Sequence, residues 1–228
     1  MTPRKSPASA PERRKILILD DHPMLRYGIA RLLEEQPDLA VCAQVGNAAA
    51  ARAAVKAHKP DLVLSDLTLP GGEGLEFIKD MRAYHPQTAV LVVSVHDEEL
   101  YAERALRAGA QGYVMKSEDG SKLVEAIRQV LRGRIYLSEN MSRKVTEAFA
   151  SRRQRADDTI LSTLTDREFD VFRLLGQGLT TSEIGQRLRL GVKTVETHRL
   201  HIRDKLGLKS GPALIKYAVR WAGTQELI

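Results

Sequence analysis

Five side chains capable of chemistry stand where short apolar runs end: Asp20 and Asp21 beyond 16–19, Asp66 beyond 62–64, Ser94 beyond 90–93 and Lys116 beyond 112–115. Unit charges of one sign about 4 Å apart repel by about 4 kcal/mol at an effective dielectric near 20, so three gathered carboxylates require a cation. A few carboxylates with room for waters and a phosphoryl oxygen suit Mg²⁺ better than the all-oxygen protein cage that Ca²⁺ prefers. In such a site one carboxylate can attack a phosphoryl group to give an aspartyl phosphate, while a cation and the Lys116 ammonium neutralise the charge in transfer. The Ser94 hydroxyl can hydrogen-bond the product. Any one of these residues alone is an ordinary loop-starting residue. All five in register on successive run ends are not explained that way.

Residues tens of positions apart meet only if the runs that precede them lie side by side. The runs at 16–19, 39–45, 62–64, 90–93 and 112–115 read as strands apolar on both faces. Amphipathic stretches near 23–35, 48–58, 75–84, 98–108 and 121–131 read as the helices between them. Five strand–helix units with fully apolar strands imply an α/β domain, a doubly wound five-stranded parallel sheet covered on both faces by right-handed crossovers. The carboxyl ends of parallel strands share one edge, and ligands bind there at the switch in strand order.

After 132–133 the alternation stops. A charged helix is expected over 139–155, trailing into the mixed-charge run Arg152-Arg153-Gln154-Arg155-Ala156-Asp157-Asp158, as interdomain linkers do. Beyond Leu164 only helices are expected, near 166–175, 182–188, 192–206 and 211–221, which makes a small all-α domain. The expected division is a disordered basic tail at 1–14, an α/β domain at 15–133, a helical, charged linker at 134–161 and the helical domain at 162–228.

Charge separates the halves. The chain carries a formal +6, but basic residues outnumber acidic ones five to one in 1–15 and eleven to seven in 164–228, whereas 16–138 holds fourteen basic against seventeen acidic. An acidic module precedes a basic one, so the two halves suit different partners, with nucleic acid plausible for the second. At 43% hydrophobic and 28% charged residues, with no apolar run near the roughly 20 residues needed to cross a bilayer, the expectation is a globular protein with no membrane partner. The N-terminal stretch lacks the apolar core of a secretory signal, and the single Cys42 excludes an intrachain disulfide, so a cytoplasmic location is expected.

In the basic half, Thr165 followed by Glu168 reads as a capping box, and Thr180 or Thr181 caps a short second helix. Gly191 then separates that helix from 192–206, the layout of a helix-turn-helix whose second helix enters the major groove. At 100° per residue, Val192, Val195, Ile202 and Leu206 share a face able to pack against Ile184 and Leu188. Lys193, Thr197, Leu200 and Asp204, flanked by Glu196 and His201, point the other way, and Lys193, Glu196, Thr197 and Leu200 are the expected base-reading residues. Lys suits guanine acceptors, Glu the cytosine amino group and Leu a thymine methyl. Arg187, Arg199, Arg203, Lys205 and Lys209 are candidates for phosphate contacts, which position without specifying sequence. His198 and His201 at i, i+3 lack the further ligands a metal would need.

Asp20-Asp21, Asp66-Leu67-Thr68-Leu69-Pro70-Gly71, Ser94 and Gly109-Ala110-Gln111-Gly112-Tyr113-Val114-Met115-Lys116 resemble the signature of two-component receiver domains, over about 15–133. The resemblance implies a flavodoxin-like fold with Asp66 as phosphoacceptor and Mg²⁺ held by Asp20, Asp21, Asp66 and the Thr68 backbone carbonyl. It also implies that Lys116 contacts the phosphoryl group and that Ser94 and Tyr113 act as the switch pair. Thr68 and His96, each two residues past a key position, occupy places that in the family modulate dephosphorylation and access, and a solvated loop histidine is the alternative reading of His96. Leu164-Thr165-Asp166-Arg167-Glu168, Gly178-Leu179-Thr180-Thr181-Ser182-Glu183-Ile184, Lys193-Thr194-Val195-Glu196-Thr197-His198 and Lys205-Leu206-Gly207-Leu208-Lys209-Ser210 resemble the LuxR-type helix-turn-helix. Together they make the chain similar to the NarL/FixJ-type response regulators. That likeness implies a sensor histidine kinase partner, promoter DNA as the target and a homodimer on DNA, and no enzymatic function of its own. Two rivals remain at this level: a phosphatase working through an aspartyl intermediate, which would want an acid/base carboxylate where Thr68 stands, and a phosphate-independent binding module.

Overall fold

The computed structural model describes residues 13–69, 73–96, 98–143, 161 and 163–225. Most of the expected 1–14 tail and most of the expected 139–155 helix lie outside the described residues. The chain divides into two compact units, one holding the described residues through Ser138 and the other beginning at Glu139.

In the first unit β1 (Arg14–Leu19), β2 (Leu39–Val45), β3 (Leu62–Ser65), β4 (Ala89–Ser94) and β5 (Gly112–Met115) form one parallel sheet in the order β2-β1-β3-β4-β5. The helices α1 (Pro23–Glu34), α2 (Ala48–His58), α3 (Gly74–Tyr84), α4 (Glu98–Ala108) and α5 (Gly120–Leu131) supply the crossovers. Alternation along each strand divides the core. Ile16 and Ile18, Leu62 and Leu64, Leu91 and Val93, and Val114 face the α1 and α5 side, where they meet Ile29, Leu33, Leu123 and Ile127. The intervening Leu17, Leu19, Val63, Val90 and Val92 are also buried, which is why the strands read as continuous apolar runs. Each such side chain contributes roughly 1.5–3 kcal/mol by leaving water. The reversal of order between β1 and β3 places the ends of β1, β3, β4 and β5 around one crevice.

The second unit is helical among the described residues: α6 (Asp166–Gly176), α7 (Thr181–Leu188), α8 (Val192–Lys205) and α9 (Gly211–Gln225). Thr165 and Thr180 each close a full capping box, with Glu168 and Glu183 respectively, so Thr180 rather than Thr181 caps α7. The core joins α6 to α9, where Trp221 packs on Phe169 and Phe172 at centroid distances of 5.8 and 5.3 Å. Gly185 inside α7 lets the chain return closely, since a Cβ there would lie 2.8 Å from the Leu190 carbonyl oxygen. That approach makes the tight turn into α8. Only Val195 and Ile202 of α8 are buried; Val192, expected on the same face, is 48% exposed. It is the first helical residue after the Gly191 cap, and a helical wheel gives an angle but not how far along the axis the neighbouring helices reach.

Candidate functional site

The backbone of β3 runs beside β1 into the crevice, with the Asp66 amide donating to the Leu19 carbonyl at 2.8 Å. Asp20 and Asp66 are almost fully buried. The Lys116 ammonium joins them, 2.6 Å from Asp20 Oδ2 and 2.7 Å from Asp66 Oδ2, its side chain only 7% exposed. Burial alone would push that ammonium down, but its hydrogen bonds to Asp20 and Asp66 outweigh burial and hold it above the ordinary lysine value. Backbone amides add to the compensation: His22 donates to Asp20 Oδ1 at 2.8 Å and Thr68 to Asp66 Oδ1 at 3.1 Å.

Asp20, Asp21, His22 and Asp66 each bring a ligand atom within 4.8 Å of the others. The Asp21 Oδ1 atom is buried with no hydrogen-bond donor, although the His22 Nδ1 atom lies 2.7 Å away. A buried carboxylate oxygen without a donor beside two further carboxylates is what a hard divalent cation satisfies, so the donor set fits Mg²⁺. His22 does not stand out in sequence; the signal, in retrospect, is only its position directly after the acidic pair.

On the β4–β5 side of the crevice, Ser94 and Tyr113 are buried, with Tyr113 only 1% exposed. The Tyr113 ring lies inward, its hydroxyl donating to the His96 carbonyl at 2.9 Å. Burial pushes that phenol well up despite a hydrogen bond with Ser94, so it stays protonated and able to donate. The Ser94 hydroxyl accepts from the His96 amide at 3.3 Å. His96 then reaches two ways: its Nε2 is 2.8 Å from the Thr68 hydroxyl, and its ring stacks on Tyr101 of α4 at 4.7 Å. Thr68 and His96 thus meet over the pocket, a pairing across 28 residues that spacing alone does not reveal.

In the second unit Lys193, Glu196, Thr197 and Leu200 are all exposed on α8. The Thr197 hydroxyl donates back to the Lys193 carbonyl at 3.0 Å, leaving its methyl and a lone pair outward. Arg187 and Lys209 are exposed. The Arg199 guanidinium is held by the Thr181 hydroxyl, which ties α8 to the start of α7. Arg203 pairs with its exposed neighbour Asp204 at 3.0 Å. Lys205 has a further contact within the unit: its ammonium lies 2.6 Å from the buried Glu168 carboxylate and donates to the Thr163 carbonyl at 3.3 Å. It holds the end of α8 to the cap of α6. His201 stands 3.9 Å from the same carboxylate, and no metal-ligand cluster includes it or His198 among the described residues.

Comparison with known proteins follows the two units. The model of the response regulator receiver domain matches residues 16–128, and that of the LuxR family of bacterial regulatory proteins matches residues 162–218. The oxygen regulatory protein NreC of Staphylococcus aureus is 36% identical over 212 residues, spanning 90% of this chain and 97% of that protein. A crystal structure of a LuxR-family two-component response regulator from Aurantimonas is 36% identical, covering 61% of this chain and all of that one with a TM-score of 0.57. RcsB of Salmonella enterica, solved on promoter DNA with a beryllofluoride phosphomimetic, shares the fold over 91% of this chain and 99% of its own, with a TM-score of 0.63 at 23% identity.

Proposed function

Because the chain belongs to the two-component response regulators that join a receiver domain to a LuxR-type helix-turn-helix domain, we propose that Asp66 is its phosphoacceptor and that phosphorylation by a sensor histidine kinase controls dimerisation and promoter binding. The observation that carries this reading is the convergence of Asp20, Asp21, Asp66 and Lys116 in one crevice, with Asp20, Asp66 and the Lys116 side chain buried.

An Asp66 carboxylate oxygen attacks phosphorus, the bond from phosphorus to the donor's imidazole nitrogen breaks, and the imidazole leaves with the electron pair. Asp20, Asp21, Asp66 and the Thr68 carbonyl are the residues to hold Mg²⁺, which when bound supplies charge neutralisation to the phosphoryl oxygens. Lys116 offers a second positive charge that needs no reorganisation, being fixed already between two carboxylates. The Ser94 hydroxyl is the donor for the product, and its movement loosens the hydrogen bonds through the His96 backbone that hold Tyr113, while the His96 ring stacks on Tyr101 of α4. A charge placed in the crevice is thereby felt at β5 and α4.

The helical unit is the output. Lys193, Glu196, Thr197 and Leu200 face base edges, while Arg187, Arg199, Arg203, Lys205 and Lys209 serve phosphates; Lys205 also pairs with Glu168 within the helical unit. The functional domains run 15–133 and 162–228, joined by 134–161, and the tail at 1–14 lies outside both. Such a protein works in the cytoplasm beside DNA, as a regulator and not a catalyst with turnover. Among the described residues no helix is long and apolar enough to cross a membrane.

The test is incorporation of labelled phosphoryl from a small phosphodonor in the presence of Mg²⁺. The wild type is expected to take up one equivalent and Asp66→Asn none. Label that persists in Asp66→Asn removes the proposed acceptor, and repeated turnover of a phosphoester would make the chain an enzyme.

A further inference from the structure

The exposed surface of α8 carries two stripes at i, i+4 spacing with different chemistry. One is Lys193, Thr197, His201 and Lys205. The other is Val192, Glu196, Leu200 and Asp204, all exposed, with Val192 at 48% and Leu200 at 45%. The second stripe contains no cation. Its last member is turned to Arg203, which leaves an acid bracketed by two branched apolar side chains, one helical turn to either side.

An acidic side chain brought against a polyanion loses energy unless it accepts a hydrogen bond there. In the major groove the amino donors are cytosine N4 and adenine N6. Adenine N6 is flanked by acceptors on both sides, its own N7 and the thymine O4. Cytosine N4 has an acceptor on one side only, the guanine O6, so a carboxylate meets less repulsion at cytosine. Val192 and Leu200 have nothing to donate or accept, and the apolar feature of the groove is the thymine methyl. Four residues of helix rise about 6 Å, a little under two base steps of roughly 3.4 Å each.

We infer that Val192, Glu196 and Leu200 select a pyrimidine-rich strand, with thymine methyls against Val192 and Leu200 and a cytosine amino group on Glu196, about one base separating successive contacts. Val192 is thus a specificity residue, which the amphipathic pattern had assigned to the core. This rests on the reading that α8 enters the major groove, and it adds to that reading the chemistry of the site selected.

The experiment is selection from a random duplex library by the full chain treated with Mg²⁺ and beryllofluoride. The selected half-site is then resynthesised with deoxyuridine for thymine at single positions. Enrichment of the order dT, dC, dT with single-base gaps is expected. Deoxyuridine at the Val192 position should weaken the wild type about fourfold, as loss of one buried methyl does. Val192→Ala should bind the thymine and deoxyuridine sites alike, and Val192→Thr should keep part of the preference. Glu196→Gln should lose most of a roughly tenfold preference for cytosine. Both positions are exposed, so unchanged helical content by circular dichroism is expected for each variant. Purines enriched at these positions, or Val192→Ala retaining the wild-type preference for thymine over deoxyuridine, overturns the inference while base reading by α8 stands. A wild type that binds every duplex equally, or none, defeats base reading by α8 and the inference with it.

Discussion

The Lys116 ammonium lies 2.7 Å from Asp66 Oδ2, in a pocket where the Asp66 side chain has no exposed surface. The same ammonium is 2.6 Å from Asp20, so one cation compensates two buried carboxylates before any ligand arrives. Lys116→Met should therefore cost the fold about 3–5 kcal/mol without Mg²⁺, because removing one partner leaves buried charge unpaired. Millimolar Mg²⁺ should restore more stability to the variant than it adds to the wild type. Urea midpoints with and without Mg²⁺ measure both. Equal midpoints for variant and wild type in the absence of Mg²⁺ would show that the carboxylates do not depend on Lys116.

The lid of that pocket gives a second expectation. Thr68 and His96 close a hydrogen bond of 2.8 Å, and the His96 ring is supported by stacking on Tyr101. On the reading that Asp66 is phosphorylated, these side chains are expected to screen it from hydrolytic water. His96→Ala should shorten the lifetime of the phosphorylated protein by roughly tenfold, the scale of one lost positioning contact of about 1.4 kcal/mol, with the rate of label uptake changed less. Following label loss after removal of the donor checks this; an unchanged lifetime means water enters elsewhere.

The strands and the crevice were legible in the sequence because buried parallel strands are apolar on both faces and because Asp20, Asp66, Ser94 and Lys116 directly follow or end them. The capping boxes at Thr165 and Thr180 were legible for the same local reason, being set by residues three apart. What escaped depends on contacts between distant segments. Thr68 and His96 meet across 28 residues and Lys205 and Glu168 across 37, and no periodicity encodes either. Val192 has the correct angle for the core but lies beyond the reach of the helices beneath it.

Lys205 and Lys209 make that distinction measurable. Both are exposed basic residues near the end of α8, and Lys205 is in addition paired with Glu168. Lys205→Ala should destabilise the second unit by about 1.5–3 kcal/mol, the scale of one hydrogen bond to a charged group. Lys209→Ala should leave stability within about 0.5 kcal/mol, weaken binding to all duplexes alike and reduce the slope of log affinity against log salt by about 0.9. Thermal unfolding and a salt series on the two variants separate the roles. Unchanged stability in Lys205→Ala would mean that its pairing with Glu168 does not hold the unit.

Glu168 gives the pH dependence of the same unit. Burial alone would raise its carboxyl, but the Lys205 ammonium and the Thr165 hydrogen bonds outweigh burial and hold it below the usual glutamate value. A carboxyl whose value is lower in the folded than in the unfolded chain gives stability that is full above the unfolded value, about 4.5, and is lost as pH falls through the folded value. Burial also holds His198 below the usual histidine range, but its window opens higher, below about pH 6.5. The single Trp221 is packed on Phe169 and Phe172, so its fluorescence reports unfolding of this unit within the full chain. Below about pH 4.5 the wild type should lose stability more steeply than Glu168→Gln, by at most about 1.4 kcal/mol per pH unit for one proton. Because other carboxylates titrate in the same window, the difference between the two proteins is the quantity to read. Parallel slopes would mean that the Lys205 pairing does not depend on the charge of Glu168.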